Sequence, residues 1–219
     1  MQFVYIVGAQ CTGKTTLSEA FAAAIKTNIP NLKCELLQET ARNTLQLHGF
    51  TRSDVRNGGD RCLELQRLIM QSQFERETTA KHCDLNLVVS DRSGIDPLAY
   101  ASMYCGSALS HGLQEAAVWA ELRSNLRAGV VVLCEPVQEW LFDDGTRLVP
   151  LNWEEWMETH RTFCTLLEQH DVDYIVLPAS IPALKDRVDF MLSHCKVKTL
   201  PLPVKGYVRE KWQGSHLVD

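Results

Sequence analysis

No stretch of this chain approaches the roughly 20 consecutive apolar residues that a membrane-spanning helix requires. Cysteine is present but unpatterned: the 8 cysteines stand apart at 11, 34, 62, 83, 105, 134, 164 and 195. None makes a C-x-x-C pair, and no Cys/His set has the spacing of a zinc site, which excludes a zinc-nucleated module. Thiols scattered in this way fit reduced side chains in a cytosolic protein. Lys and Arg never gather into a run, and the formal net charge is −5. That balance argues against nucleic acid or an anionic membrane surface as partner. The chain opens on an apolar, β-branched run rather than a basic segment, so no signal peptide is expected at its start. No internal repeat or low-complexity stretch interrupts it. The expectation is a soluble, cytoplasmic α/β protein, with one main domain and a small lid or helical insertion.

What the chain does have is Gly8-Ala9-Gln10-Cys11-Thr12-Gly13-Lys14-Thr15, with Thr16 and Leu17 behind it. This fits the phosphate-loop pattern G-x-x-x-x-G-K-[ST] at every fixed position. Residues 3–7 before it form a run of buried-strand type, and Leu17, Ala20, Phe21, Ala24 and Ile25 after it recur at helical spacing. The loop therefore lies between a strand and a helix, as the motif demands. Gly8 and Gly13 allow a tight turn that aims backbone N–H groups at phosphate oxygens, and the helix start adds its positive dipole end. Lys14 is expected to reach the β- and γ-phosphates, and the Thr15 hydroxyl to join the shell of Mg²⁺. The residues expected to hold the nucleotide are Gly8, Gln10, Cys11, Thr12, Gly13, Lys14, Thr15 and Thr16.

Further along, residues 34–38 read as a second strand that ends at Glu39-Thr40-Ala41-Arg42. Open α/β sheets place ligands just past the carboxyl ends of their strands. There Glu39 could accept a proton from a substrate hydroxyl, and Arg42 could hold a phosphate or that carboxylate. The competing reading is a helix-start Glu beside a surface arginine. Residues 48–59, polar and glycine-bearing, read as a movable loop, and 60–82 as an amphipathic helix carrying Gln66 and Gln73 on a half-buried surface. A third strand at 85–90 closes on Asp91-Arg92-Ser93-Gly94. An apolar strand ending on Asp is where phosphate-loop proteins hold a second contact to Mg²⁺. Asp91 thus joins Thr15 as a metal residue, Arg92 faces the transferring phosphoryl group or a substrate phosphate, and Asp96 is placed to bind a substrate hydroxyl. The alternative is that Asp91 only caps the next helix.

Helical stretches at 97–104 and 113–126 precede a fourth strand at 130–134. Phe142-Asp143-Asp144-Gly145-Thr146-Arg147 then reads as a lid, with Arg147 stabilising charge on the leaving phosphates, or else as an acidic surface loop. A helix at 153–170 with Trp156 on its apolar side, a fifth strand at 172–177 and a last helix at 181–195 complete a domain at 1–195. Residues 196–219 form an extended tail.

The segments GAQCTGKTT, ETAR, VVSDRSGIDPLAY and FDDGTR, in that order, resemble the NadR-like phosphate-loop kinases. That family includes the ribosylnicotinamide kinase domain of NadR and eukaryotic AAA-domain proteins, some similar to GTP-binding regulators of membrane trafficking. The resemblance covers about residues 2–192 and implies a five-stranded parallel sheet in the order 2-3-1-4-5, flanked by helices, with an ATP-Mg²⁺ site. It implies that Gly13, Lys14, Thr15 and Thr16 hold phosphates and metal, that Asp91 serves the metal, that Glu39 acts as base, and that Arg147 belongs to the lid. The expected reaction is ATP-Mg²⁺-dependent phosphoryl transfer to a small-molecule hydroxyl, a nucleoside or riboside. The alternative is a GTP- or ATP-hydrolysing switch for a protein or membrane partner, although the N-K-x-D guanine segment of common small GTPases is missing.

Overall fold

Along β1 (Gln2–Val7), Phe3, Tyr5 and Val7 enter one apolar layer while Val4 and Ile6 enter another. A strand buried on both faces belongs in the middle of a parallel sheet. The computed structural model describes residues 1–141 and 148–195 and places β1 there. Its neighbours are β3 (Leu87–Asp91) and β4 (Val130–Cys134), with β2 (Cys34–Leu37) and β5 (Tyr174–Leu177) at the edges. All pairings are parallel, in the order β2-β3-β1-β4-β5. This is the sheet that the family resemblance implied. Because the strands run the same way, their carboxyl ends meet along one edge.

The helices cover both faces. Leu17, Phe21 and Ile25 of α1 (Lys14–Asn28) and Met191 of α9 (Leu184–His194) pack on Val4, Ile6, Val89, Val132 and Leu177. On the opposite face Tyr5, Val88 and Leu133 meet α4 (Gly59–Lys81), α5 (Ile95–Tyr104), α7 (Ala117–Ala128) and α8 (Trp153–Gln169). Met70, Leu98, Trp119 and Phe163 fill that layer. A smaller cluster of Phe50, Val55, Cys62 and Leu65 joins α3 (Arg52–Arg56) to α4, with Ala41 and Leu45 of α2 (Ala41–Leu47) packed against it. The helix α6 (Ser107–Gln114) links α5 to α7. Among the described residues no helix is long and apolar enough to cross a membrane.

Several boundaries differ from the sequence expectations. The loop expected at 48–59 contains α3, started by a capping box in which Thr51 N–H donates to Asp54 Oδ2 at 2.7 Å. A five-residue helix is too short to show a hydrophobic period. The third strand begins at Leu87, the helix expected at 113 is preceded by a separate one from Ser107, and the last helix begins at Leu184. The expected lid at 142–147 and the tail at 196–219 lie outside the described residues.

Gln66 and Gln73 are buried rather than half-buried. Gln73 Nε2 donates to Glu77 Oε1 at 2.9 Å and to Ser90 Oγ at 3.1 Å. Glu77, 1% exposed, also accepts from Tyr5 Oη at 3.0 Å and Asn125 Nδ2 at 2.7 Å, which ties α4 and α7 to the central strand. Burial raises the Glu77 carboxyl, and these donors hold it back. Tyr5→Phe removes one donor and leaves the packing intact, so urea unfolding at neutral pH should show a loss of about 1–2 kcal/mol. An unchanged midpoint would mean that the bond contributes nothing.

Candidate functional site

The parallel register gathers the ends of three strands. Ile6 lies opposite Asp91, and Val7 opposite Leu133. The loop after β1 therefore runs between Asp91 and the end of β4. Gly8 passes so close to β4 that a Cβ there would lie 2.8 Å from the Cys134 carbonyl oxygen, and its φ of +133° favours glycine. Gly13, at φ +74°, is the N-cap of α1, and the side chain that would cap the helix is missing by construction. The first turn of α1 holds no acidic residue either. Its orphan N–H groups and positive dipole end are thus left for an anion.

Lys14 folds into the loop that precedes it. Its Nζ donates to the Ala9 carbonyl at 2.5 Å and lies 3.3 Å from Thr12 Oγ1. Burial, and then the nearby Arg92 charge, lower its pKa to about 8 against the opposing pull of Asp96 and Asp91. Beside it, Thr15 Oγ1 donates to Asp91 Oδ2 at 2.6 Å. Asp91 Oδ1 is buried and has no hydrogen-bond partner among the described residues. A hydroxyl and a carboxylate with a spare oxygen, at the N-terminus of a phosphate-binding helix, are hard donors that fit Mg²⁺ held with phosphates and water.

Asp91 does not cap the following helix. That work falls to Ser93 and Asp96: Ser93 Oγ accepts from Ile95 N–H at 3.2 Å, and Asp96 Oδ2 accepts from Ser93 N–H at 2.9 Å. Between Asp91 and this cap sits Arg92, forced to φ +81°. Its Nη2 lies 2.8 Å from Glu39 Oε1, its Nη1 lies 3.3 Å from Asp96 Oδ1, and its guanidinium is 6.0 Å from the Tyr100 ring centroid. Burial alone would lower its pKa, but Glu39, Tyr100, Asp96 and Asp91 raise it well above its ordinary value, so it stays charged. Burial raises the Asp96 carboxyl to about 6 despite Arg92 and Lys14. Tyr100 Oη donates to Gln10 Oε1 at 3.0 Å, which joins this cluster to the loop.

The fold thus brings together Lys14, Thr15, Glu39, Asp91, Arg92 and Asp96 from three strand ends. The Arg42 side chain and Arg147 lie outside the described residues. Three residues escaped the sequence reading. Trp156 Nε1 donates to the Gln10 carbonyl at 2.7 Å, and Arg187 Nη2 donates to the Thr12 carbonyl at 3.1 Å. Trp140 lies under the Arg187 guanidinium at 4.8 Å, and with Gly13, Thr16, Pro182 and Leu184 they line a cavity of about 180 Å³. Trp156 looks like ordinary core by its spacing, and nothing local marks Arg187 or Trp140.

A phosphate loop between a central parallel strand and its helix, with an acidic strand end beside it, defines a phosphate-loop nucleotide-binding protein with the kinase strand order. Within that class the chain belongs to the AAA-domain family, whose model matches residues 3–183. No curated protein matches it significantly. Among solved structures, NadR in complex with NR superposes with a TM-score of 0.68 at 18% identity, over 94% of this chain and 54% of that one. NadR with NAD and AMP-PNP gives 0.65 at 17%, over 92% and 51%. Deoxyadenosine kinase from M. mycoides with bound dATP gives 0.58 at 12%, over 88% and 97%. These likenesses establish the fold of phosphate-loop kinases, and the chain spans about half the length of the NadR structures.

The Lys14 environment has a pH signature. Its charge is present below about pH 8 and lost above it in the free protein. A bound polyphosphate would hold that proton, so its Kd should rise as pH climbs through about 8, by at most about tenfold per unit. Calorimetric titration of tripolyphosphate across that range checks this; a flat profile would show that Lys14 keeps its charge.

Proposed function

We propose that this chain transfers the terminal phosphoryl group of ATP, as its Mg²⁺ complex, to a hydroxyl of a small molecule, a nucleoside or riboside of the nicotinamide riboside type. The observation that carries the reading is the Glu39–Arg92 pair at 2.8 Å, set beside the phosphate loop and next in sequence to Asp91. A switch that only hydrolyses its nucleotide has no evident use for a half-buried carboxylate fixed in that place. An acceptor hydroxyl does, because a carboxylate there can take or orient its proton. The structures of NadR with NR and of deoxyadenosine kinase with dATP support the choice of acceptor class by likeness.

In this reading the amides of Gln10, Cys11, Thr12 and Gly13 and the first turn of α1 receive the phosphates, with Gly8 making room. Lys14 exchanges its bond to the Ala9 carbonyl for β- and γ-phosphate oxygens. Thr15 and Asp91 hold Mg²⁺, which when bound would neutralise charge on those oxygens. Thr16 lies at the cavity beside Trp140, where the base would stack. Arg92 fixes Glu39 and faces the moving phosphoryl group, while Asp96 holds the other edge of Arg92 and orients the acceptor through it. Arg42 and Arg147, whose side chains lie outside the described residues, are the further cations this reading assigns to the acceptor and to the leaving phosphates, with residues 1–195 as the working unit. Positioning and electrostatics then supply most of the rate. No disulfide joins the cysteines of the described residues, which suits a reducing, cytoplasmic setting.

The test is ADP release from ATP-Mg²⁺ over a panel of nucleosides and ribosides, with Lys14→Ala as blank. A strong acceptor-dependent signal is expected. Glu39→Gln should lower that signal by roughly 10²- to 10⁴-fold while ATP still binds. Slow hydrolysis that ignores every acceptor would favour the nucleotide switch instead.

A further inference from the structure

A trans peptide carries its C=O and its N–H on opposite sides. Holding one carbonyl therefore decides where the next residue's amide points. In the phosphate loop two carbonyls are held from outside by side chains far away in sequence. Trp156 of α8 reaches the Gln10 carbonyl at 2.7 Å, and Arg187 of α9 reaches the Thr12 carbonyl at 3.1 Å. The amides that follow belong to Cys11 and Gly13, and these two residues have the positive φ values of +59° and +74°. Alternating left-handed residues are how a chain turns successive N–H groups into one anion-binding concavity. The Ala9 carbonyl, by contrast, is taken from within the loop by Lys14 and Thr12.

Stability alone is a poor explanation for these two side chains. Trp156 is fully buried and Arg187 is 2% exposed. Among the described residues Arg187 has no carboxylate partner, and its Nε and Nη1 make no hydrogen bond. Its planar group lies over Trp140, whose ring sits 2.7 Å from where a Gly13 Cβ would be. A guanidinium buried with so few partners costs stability unless its position serves something else.

We propose that Trp156 and Arg187 are positioning residues that clamp the phosphate loop from behind. They pin the Gln10 and Thr12 carbonyls outward and so preset the Cys11 and Gly13 amides for the phosphates of a nucleoside triphosphate. The inference rests on the reading of this loop as the triphosphate site. It adds that the loop's shape is imposed by α8 and α9, the last two helices among the described residues.

Calorimetric titrations with ATP-Mg²⁺ and with Mg²⁺-tripolyphosphate test it in the wild type, Trp156→Phe, Arg187→Met and Arg187→Lys. Trp156→Phe is the cleanest variant, because it removes one N–H and no charge. Its Kd should rise roughly 3- to 10-fold for both ligands, at unchanged stoichiometry. Arg187→Met should lose at least as much, and Arg187→Lys should recover part of it through its remaining donor. A purely structural role would lower the melting temperature or the stoichiometry and leave the Kd of the folded fraction alone; that result would overturn the proposal. So would a wild-type Kd for tripolyphosphate in Trp156→Phe. If the wild type itself binds neither ligand, the triphosphate reading fails first and the clamp with it.

Discussion

Ile6 stands opposite Asp91 in the pairing of β1 with β3, and most of the site depends on that register. It sets the acidic end of β3 alongside the loop that leaves β1, close enough for the Thr15 hydroxyl to donate to Asp91 at 2.6 Å. In a parallel sheet a slip of one residue would turn Asp91 to the other face. The register is secured by alternation, since Val4 and Ile6 fill one layer while Phe3, Tyr5 and Val7 fill the other. Core packing and the placement of Asp91 beside Thr15 are thus one constraint. The same strand also carries Tyr5, whose bond to Glu77 ties α4 to the sheet beneath the site.

The electrostatics of the site follow from burial. Lys14, Asp91 and Asp96 are buried and Arg92 is largely covered, and the two aspartates favour the charges on Lys14 and Arg92. Arg92 lowers the Lys14 pKa and holds down that of Asp96, while its own charge is secured by Glu39 at 2.8 Å. The guanidinium is therefore already committed to carboxylates before any ligand arrives. The Lys14 ammonium is not: its bonds are to a neutral carbonyl and a hydroxyl. Of these two cations, Lys14 is the one a phosphate can recruit at little cost in broken ion pairs.

How much of this was legible in the sequence depends on distance along the chain. The phosphate loop is a local pattern with correct flanks, and β4 at Val130–Cys134 is a continuous apolar run, so both could be read directly. Glu39, Asp91 and Arg92 could be placed because they end strands. Their mutual contacts could not, since Glu39 and Arg92 meet only through the pairing of β2 with β3. Asp96 was readable as a polar residue in the right turn, but not as the partner of Ser93 and Arg92 that it is. α3 escaped because a single short helix shows no period. Trp156 and Arg187 lie 146 and 175 residues from the carbonyls they hold, and no spacing rule spans that interval.

The two flanks of the site are also joined, through Glu155 at the start of α8. Arg56 of α3 donates to Glu155 Oε1 at 2.6 Å and also bonds to the Val149 carbonyl. Tyr104, at the end of α5, donates to the same Glu155 oxygen at 2.9 Å, and Leu151 N–H bonds to the other. The next residue of α8 is Trp156, on the Gln10 carbonyl. α8 therefore touches the small helical cluster beyond β2 with one residue and the phosphate loop with the next. Neither tie is an exposed ion pair of the kind that contributes little, because Glu155 is mostly covered and Trp156 wholly so. α3, the segment around Val149 and α8 are thus tied to one another, and α8 is also the helix whose Trp156 donates to the Gln10 carbonyl.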